Sequence, residues 1–309
     1  MMDDVLQTRP NPNQSPGGPH CSHFRVGGVS VQLEGDCKDD ITLVRSLEPF
    51  RVDAGPSDIN IQVEWVANLA PALGHQLFDS GSVWRLYGAA DEFQFDFSTP
   101  ILGDAPYKRL LVDRQFSRAS LLLSGECFER RRTAPPMEYP LDEVLITHRL
   151  ARENAVELHG CGIVAAPGKA GYLFVGHSGA GKSTTARLWS SREGVEILSD
   201  DRIILRERAG EMLMYGTPWH GEAEYASPAS APLSGIFVLQ HGLGNAITRL
   251  SRSQAVSELF ARSFVPFHRH EYVDSALSSL ERVVDAVPCY RYAFEPDQSA
   301  VERVLNFRD

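Results

Sequence analysis

The chain has 309 residues, enough for two domains of ordinary size, each able to bury its own core. Hydrophobic residues at 43% and charged residues at 23% exclude a disordered or fibrous class. The net charge of -10 repels a phosphate backbone, so no nucleic-acid partner is expected, and the densest basic cluster, Arg130-Arg131-Arg132, lacks interleaved aromatics and reads as a solvated turn.

The first stretch, MMDDVLQTRPNPNQSPGGPH, carries early acids and no apolar core, so it is not a signal peptide; residues 1–21 read as a disordered tail. No apolar run approaches a membrane span, which points to a cytoplasmic location with no membrane partner. Cys21, Cys37, Cys127, Cys161 and Cys289 form no C-x-x-C pair and are an odd number, as expected of reduced, structural thiols.

From residue 22 to 137 the pattern is β-rich, with strands predicted over 24–33, 59–65, 83–87, 93–97, 109–113 and 119–123, separated by Gly, Pro and Asp clusters. No catalytic pattern is visible there. A helical period over 140–154 opens the second domain, 138–309. A strand over 156–165, a turn over 167–171 and a strand over 172–175 follow. Then come a helix over 182–192, strands over 195–199, 202–206, 211–216 and 234–240, helices near 253–264 and 271–287, and a final strand and helix. The fold class is mixed α/β.

Gly176-His177-Ser178-Gly179-Ala180-Gly181-Lys182-Ser183 fulfils G-x-x-x-x-G-K-[ST] between an apolar strand and a helix that continues from Thr184. Glycines let backbone N–H groups curl around phosphate oxygens, Lys182 reaches the terminal phosphates and Ser183 is placed to ligate magnesium. Leu198-Ser199-Asp200-Asp201-Arg202 then sets two carboxylates at a strand end beside that loop. One is expected near magnesium and the other facing an incoming hydroxyl, the two tasks of phosphoryl transfer. His159, in Leu158-His159-Gly160 on the preceding strand, is either a proton-transfer or orienting group beside the aspartates or a core histidine.

In this order and spacing, Leu158-His159-Gly160, the phosphate loop and Asp200-Asp201-Arg202 resemble the catalytic domain of HPr kinase/phosphorylase, a family that shares its nucleotide-binding core with ATP-dependent phosphoenolpyruvate carboxykinase. The match is clear over 158–206 and loose over the rest of the C-terminal half. It implies a P-loop kinase domain behind the β-rich region, with ATP and magnesium as cofactors. It further implies that Lys182 contacts the β- and γ-phosphates, Ser183 and Asp201 bind magnesium, Asp200 is the base and His159 sits next to Asp200. The acceptor in the family is a serine of a small carrier protein. Related kinases act on serine in ribosomal peptides or on free serine, and the family tends toward homo-oligomers.

The family's Leu-Glu-Ile-Arg-Gly-Leu-Gly type signature is absent. Tyr215-Gly216-Thr217-Pro218-Trp219-His220-Gly221-Glu222 stands in its place, where Glu222 is a candidate metal ligand and His220 a candidate acceptor contact, or both lie in a surface turn. Arg262 and His268-Arg269-His270 are positive groups either for an acidic acceptor or for a solvated loop. The expected function is magnesium- and ATP-dependent transfer to a hydroxyl, serine first, of a peptide or small protein. A small-molecule kinase and a nucleotide-sensing module are the alternatives.

Overall fold

The computed structural model describes residues 19–72, 74–89, 91–128, 135–165, 170–242 and 244–308. Residues 1–18 of the expected tail, the Arg130-Arg131-Arg132 cluster and positions 167–169 of the expected turn lie outside these.

The N-terminal strands are β1 (His20–Val26), β2 (Val29–Gly35), β3 (Ile59–Val66), β4 (His75–Asp79), β5 (Trp84–Gly88), β6 (Glu92–Thr99), β7 (Gly103–Asp113) and β8 (Arg118–Ser124). They form one eight-stranded sheet in the order β1-β2-β3-β8-β7-β6-β5-β4. Alternation is the cause: Phe24 and Val26, Ile59, Ile61 and Val63, then Leu121 and Leu123 recur every second residue and are buried. The single strand expected over 24–33 is instead a hairpin. Val26 pairs with Val29, and Gly27 and Gly28 between them hold φ of 58° and 75°, the left-handed pair that a two-residue hairpin turn demands. His20 and Cys21, expected in the tail, belong to β1.

Helix α1 (Leu141–Leu150) lies against this sheet, with Leu141, Leu145 and Ile146 in the same core as Phe95 and Phe97. Buried Lys108 on β7 anchors the approach to α1, its Nζ donating to the Pro135 carbonyl at 2.8 Å and to Glu138 Oε1 at 2.9 Å.

The remaining elements are β9 (Ala155–Ala165), β10 (Ala170–Val175), α2 (Lys182–Ser190), β11 (Glu196–Ser199), β12 (Arg202–Arg208), β13 (Glu211–Tyr215), β14 (Ser230–His241), β15 (Ala246–Arg249), α3 (Arg252–Phe260), β16 (Ser263–Phe264), α4 (His270–Ala286), β17 (Cys289–Phe294) and α5 (Gln298–Leu305). Strand β9 does double service. Its first half pairs with β12 and β16, and its second half with β10 and β11. Strand β10 runs antiparallel to β9 and parallel to β14, and β14 also pairs with β13 and β17.

One face of this sheet packs on α3 and α4 through Leu259, Leu280 and Val283; the other packs on α2 and α5 through Trp189, Val301 and Val304. The helix expected near 253–264 stops at Phe260, because Ser263 and Phe264 pair with Leu158 and Glu157 of β9 instead. Strands β4 and β15 were not expected. All five cysteines are free, and no helix among the described residues is long and apolar enough to cross a membrane.

Candidate active site

Strand β10 is covered on both faces, which is why Leu173, Phe174 and Val175 form an unbroken apolar run. It aims the chain into the 176–181 loop between two neighbouring strands. Gly179 and Gly181 hold φ of 80° and 104°, and a Cβ on Gly181 would stand 2.5 Å from the Phe294 ring, so a larger residue there meets both backbone and packing penalties. Helix α2 begins at Lys182, immediately after this loop.

Lys182 is 6% exposed, and its Nζ donates to the Gly176 and His177 carbonyls, each at 3.2 Å. Burial lowers its pKa, with nearby Asp201 acting in the opposite sense. Ser178, Gly179, Gly181, Lys182, Ser183 and Thr184 line a pocket of about 340 Å³. His159, Arg187, Asp201, Gly221 and Glu222 complete its wall. Gly176, His177 and Ala180 belong to the loop without lining that pocket.

The two aspartates occupy the two-residue link between β11 and β12, and they diverge. Asp200 is fully buried. Its Oδ1 accepts from the Gly221 and Tyr225 amides at 3.0 and 3.2 Å, and its Oδ2 accepts from the Ala223 amide at 2.9 Å and from Ser183 Oγ at 3.2 Å. The segment after Trp219 thus folds around Asp200 by its backbone. Asp201 opens to the pocket, with Oδ1 2.8 Å from His159 Nε2 and Oδ2 bonded to Arg202. Burial alone would raise the Asp201 pKa, but the His159 hydrogen bond and the charges of Arg202 and Lys182 outweigh it and hold the carboxyl below its usual range.

His159 therefore contacts Asp201, where Asp200 was expected. Strand register explains this: Arg202 pairs with His159 across the β9–β12 ladder, which sets the residue just before β12 beside the imidazole.

Glu222 is exposed on the pocket wall. His220 is exposed, sits outside that wall, and its Nδ1 lies 3.1 Å from the neighbouring Gly221 carbonyl. The downstream cations are not gathered for an acceptor. Arg262 pairs with Glu258 at 2.7 Å, Arg269 pairs with Glu271 at 3.0 Å, and His268 packs edge-on to Phe93. His270 opens α4.

A buried ionic network behind Asp201 had no sequence signal. Arg202 Nε lies 2.9 Å from Glu143 Oε1 on α1 and 3.6 Å from Glu157 Oε1, while its guanidinium stacks 4.1 Å from the Phe264 ring centre. Thr147 Oγ1 donates to Glu157 Oε2 at 2.8 Å. Trp219 Nε1 donates to buried Asp142 at 3.0 Å, tying α1 to the segment that wraps Asp200. Glu143 is remote in sequence and looks like an ordinary first-turn acid. Arg187, four residues after Ser183 on one helix face, was legible by helical spacing alone.

Among the described residues no group of three or more His, Cys, Asp or Glu side chains is arranged to hold a metal ion. Ser183 lines the pocket with its hydroxyl held 3.2 Å from buried Asp200, which suits the sparser arrangement in which magnesium takes one or two protein oxygens and completes its shell with phosphate oxygens and water.

No family model matches the chain, and no curated protein matches it. Among solved structures it has a loose likeness to the Hpr(Ser) kinase/phosphatase from Coxiella burnetii, at 13% identity over 42% of this chain and 92% of that one, with a TM-score of 0.21.

Proposed function

We propose that this chain is a magnesium- and ATP-dependent kinase that transfers the γ-phosphate to a hydroxyl, with serine in a peptide or small protein as the acceptor. One observation carries the reading. The glycine loop with Lys182 and Ser183 and the His159–Asp201 pair face one pocket, so a phosphate cradle and a proton acceptor share the same 340 Å³.

The loop amides, the N-terminus of α2 and Lys182 bind the phosphates. Ser183, held from behind by Asp200, would hold magnesium, which supplies charge neutralisation on the phosphate oxygens when bound. Asp201, oriented by His159 and Arg202, takes the proton of the acceptor hydroxyl. The hydroxyl oxygen forms its bond to the γ-phosphorus as the bond to the β-bridging oxygen breaks, and ADP leaves. This moves the base from Asp200, where it was expected, to Asp201. Asp200 is saturated by backbone amides and shut off from the pocket, which suits a structural carboxylate that fixes Ser183, whereas Asp201 has the exposure a base needs.

Purified protein with γ-labelled ATP, magnesium and a panel of serine peptides, an HPr-like carrier and free serine tests this directly. Label on one acceptor class, lost in Asp201→Asn while ATP still binds, supports the reading. Tight ATP binding with no transfer to any acceptor overturns it in favour of nucleotide sensing.

A further inference from the structure

A second cavity of about 290 Å³ opens between the N-terminal sheet, α1 and the 263–268 segment. Phe78 and Trp84 come from the sheet, Tyr139 and Val144 from α1 and its approach, and Phe264 and Phe267 from the segment after α3. It shares no lining residue with the 340 Å³ pocket, but side-chain contacts bridge the two walls. The Phe264 ring lies 6.1 Å from the His159 ring and 4.1 Å below the Arg202 guanidinium, and Glu143 in the cavity wall holds Arg202 at 2.9 Å. One residue, Arg202, therefore separates this cavity from Asp201.

The cavity's chemistry is apolar and uncharged. The Glu143 carboxylate is spent on Arg202, and the two imidazoles in the wall, His148 and His268, are stacked at 5.1 Å and carry no formal charge at neutral pH. Of the three large hydrophobic side chains exposed among the described residues, Tyr139 (60%) and Phe267 (61%) belong to this wall. The 3% exposed His148 bonds the Val144 carbonyl through Nδ1 at 2.6 Å, which fixes the proton there and leaves Nε2 a bare acceptor with no partner.

Resting on the kinase reading above, we propose that this cavity is the specificity pocket of the acceptor: it takes an uncharged aromatic side chain that flanks the phosphorylated serine. Its volume falls at the small end of ligand sites, enough for one side chain. Burial of an aromatic ring there favours such acceptors by about 10–100-fold.

The test uses the full chain, magnesium, γ-labelled ATP and a positional library of serine-centred peptides. We expect kcat/KM to be at least about tenfold higher with tyrosine or tryptophan than with glycine or aspartate at a single flanking position. In Phe267→Asp, whose exposed position leaves folding intact, that ratio should collapse toward one, with the change in KM. Transfer to serine with no flanking preference, or a preference unmoved in Phe267→Asp, overturns the pocket while the kinase reading stands. No transfer to any peptide overturns the pocket, and no transfer to the carrier protein or free serine either overturns the kinase reading with it.

Discussion

Asp201 and His159 are locked together, Oδ1 to Nε2 at 2.8 Å, on the wall of the phosphate-loop pocket, while the adjacent Asp200 is turned inward. The two carboxylates should therefore fail differently. Asp201→Asn keeps the shape and removes the proton acceptor, so transfer should drop by about 10²–10⁴-fold with ATP affinity little changed. Asp200→Asn should lower thermal stability as well, because an amide cannot accept all the hydrogen bonds that Asp200 receives from Gly221, Ala223 and Tyr225. Label transfer, calorimetric ATP titration and a melting curve on each variant separate the two.

On the proposed reading, Lys182 and Ser183 carry the nucleotide. Lys182→Ala removes a charge-assisted contact, which corresponds to a loss of ~10–100-fold in ATP affinity. Its own Nζ bonds to the Gly176 and His177 carbonyls stabilise the loop, so the variant should also lose protection of the loop amides in hydrogen exchange. Ser183→Ala should weaken ATP binding only when magnesium is present, and titration with and without the metal reads this.

Sequence made the glycine loop and the helix after it legible because the signal is local: glycines, a lysine and a serine, all within eight residues. The difference in setting between Asp200 and Asp201 was not legible. It depends on the register by which Arg202 meets His159 and on a shift in the β9–β11 pairing between Ile197 and Ser199, both set by strands far apart in the chain. The hairpin at Gly27-Gly28 was missed because apolar residues run on either side of it, though the glycine pair was its signal. The aromatic cavity was beyond reach, since it joins residues near 80, 145 and 265.

The Arg202–Glu143 pair should prove a structural hinge of the site. Both side chains are largely buried, so Glu143→Ala takes away the partner of Arg202 Nε while the bond to Asp201 remains, at a cost below the ~3–5 kcal/mol of a fully broken buried pair. Burial and the neighbouring Glu143 charge both raise the Glu157 pKa, and removing Glu143 should let Glu157 ionise toward Arg202 and recover part of that loss. Glu143→Ala should thus be less harmful at pH 8 than at pH 5.5. Urea midpoints at the two values check the sign.

His148 sets an acid limit on the fold. It packs between Phe95 and Phe116 at ring distances of 5.1 and 5.2 Å, and burial depresses its pKa to about 3. An unfolded histidine titrates near its ordinary value of about 6.5, so the unfolded chain binds the proton first as pH falls. The stabilising contribution is complete above that value and is lost on the way down toward the folded pKa, at about 1.4 kcal/mol per pH unit. Buried Asp142 works against it: its pKa is raised to about 6, so it gains stability as pH falls from there toward its ordinary value. The net wild-type curve blends the two, and the difference between wild type and His148→Gln isolates the imidazole. That difference should shrink by ~3 kcal/mol between pH 7 and pH 4.5, measured by urea unfolding at each pH. A constant difference would mean that His148 becomes charged within the folded protein without cost.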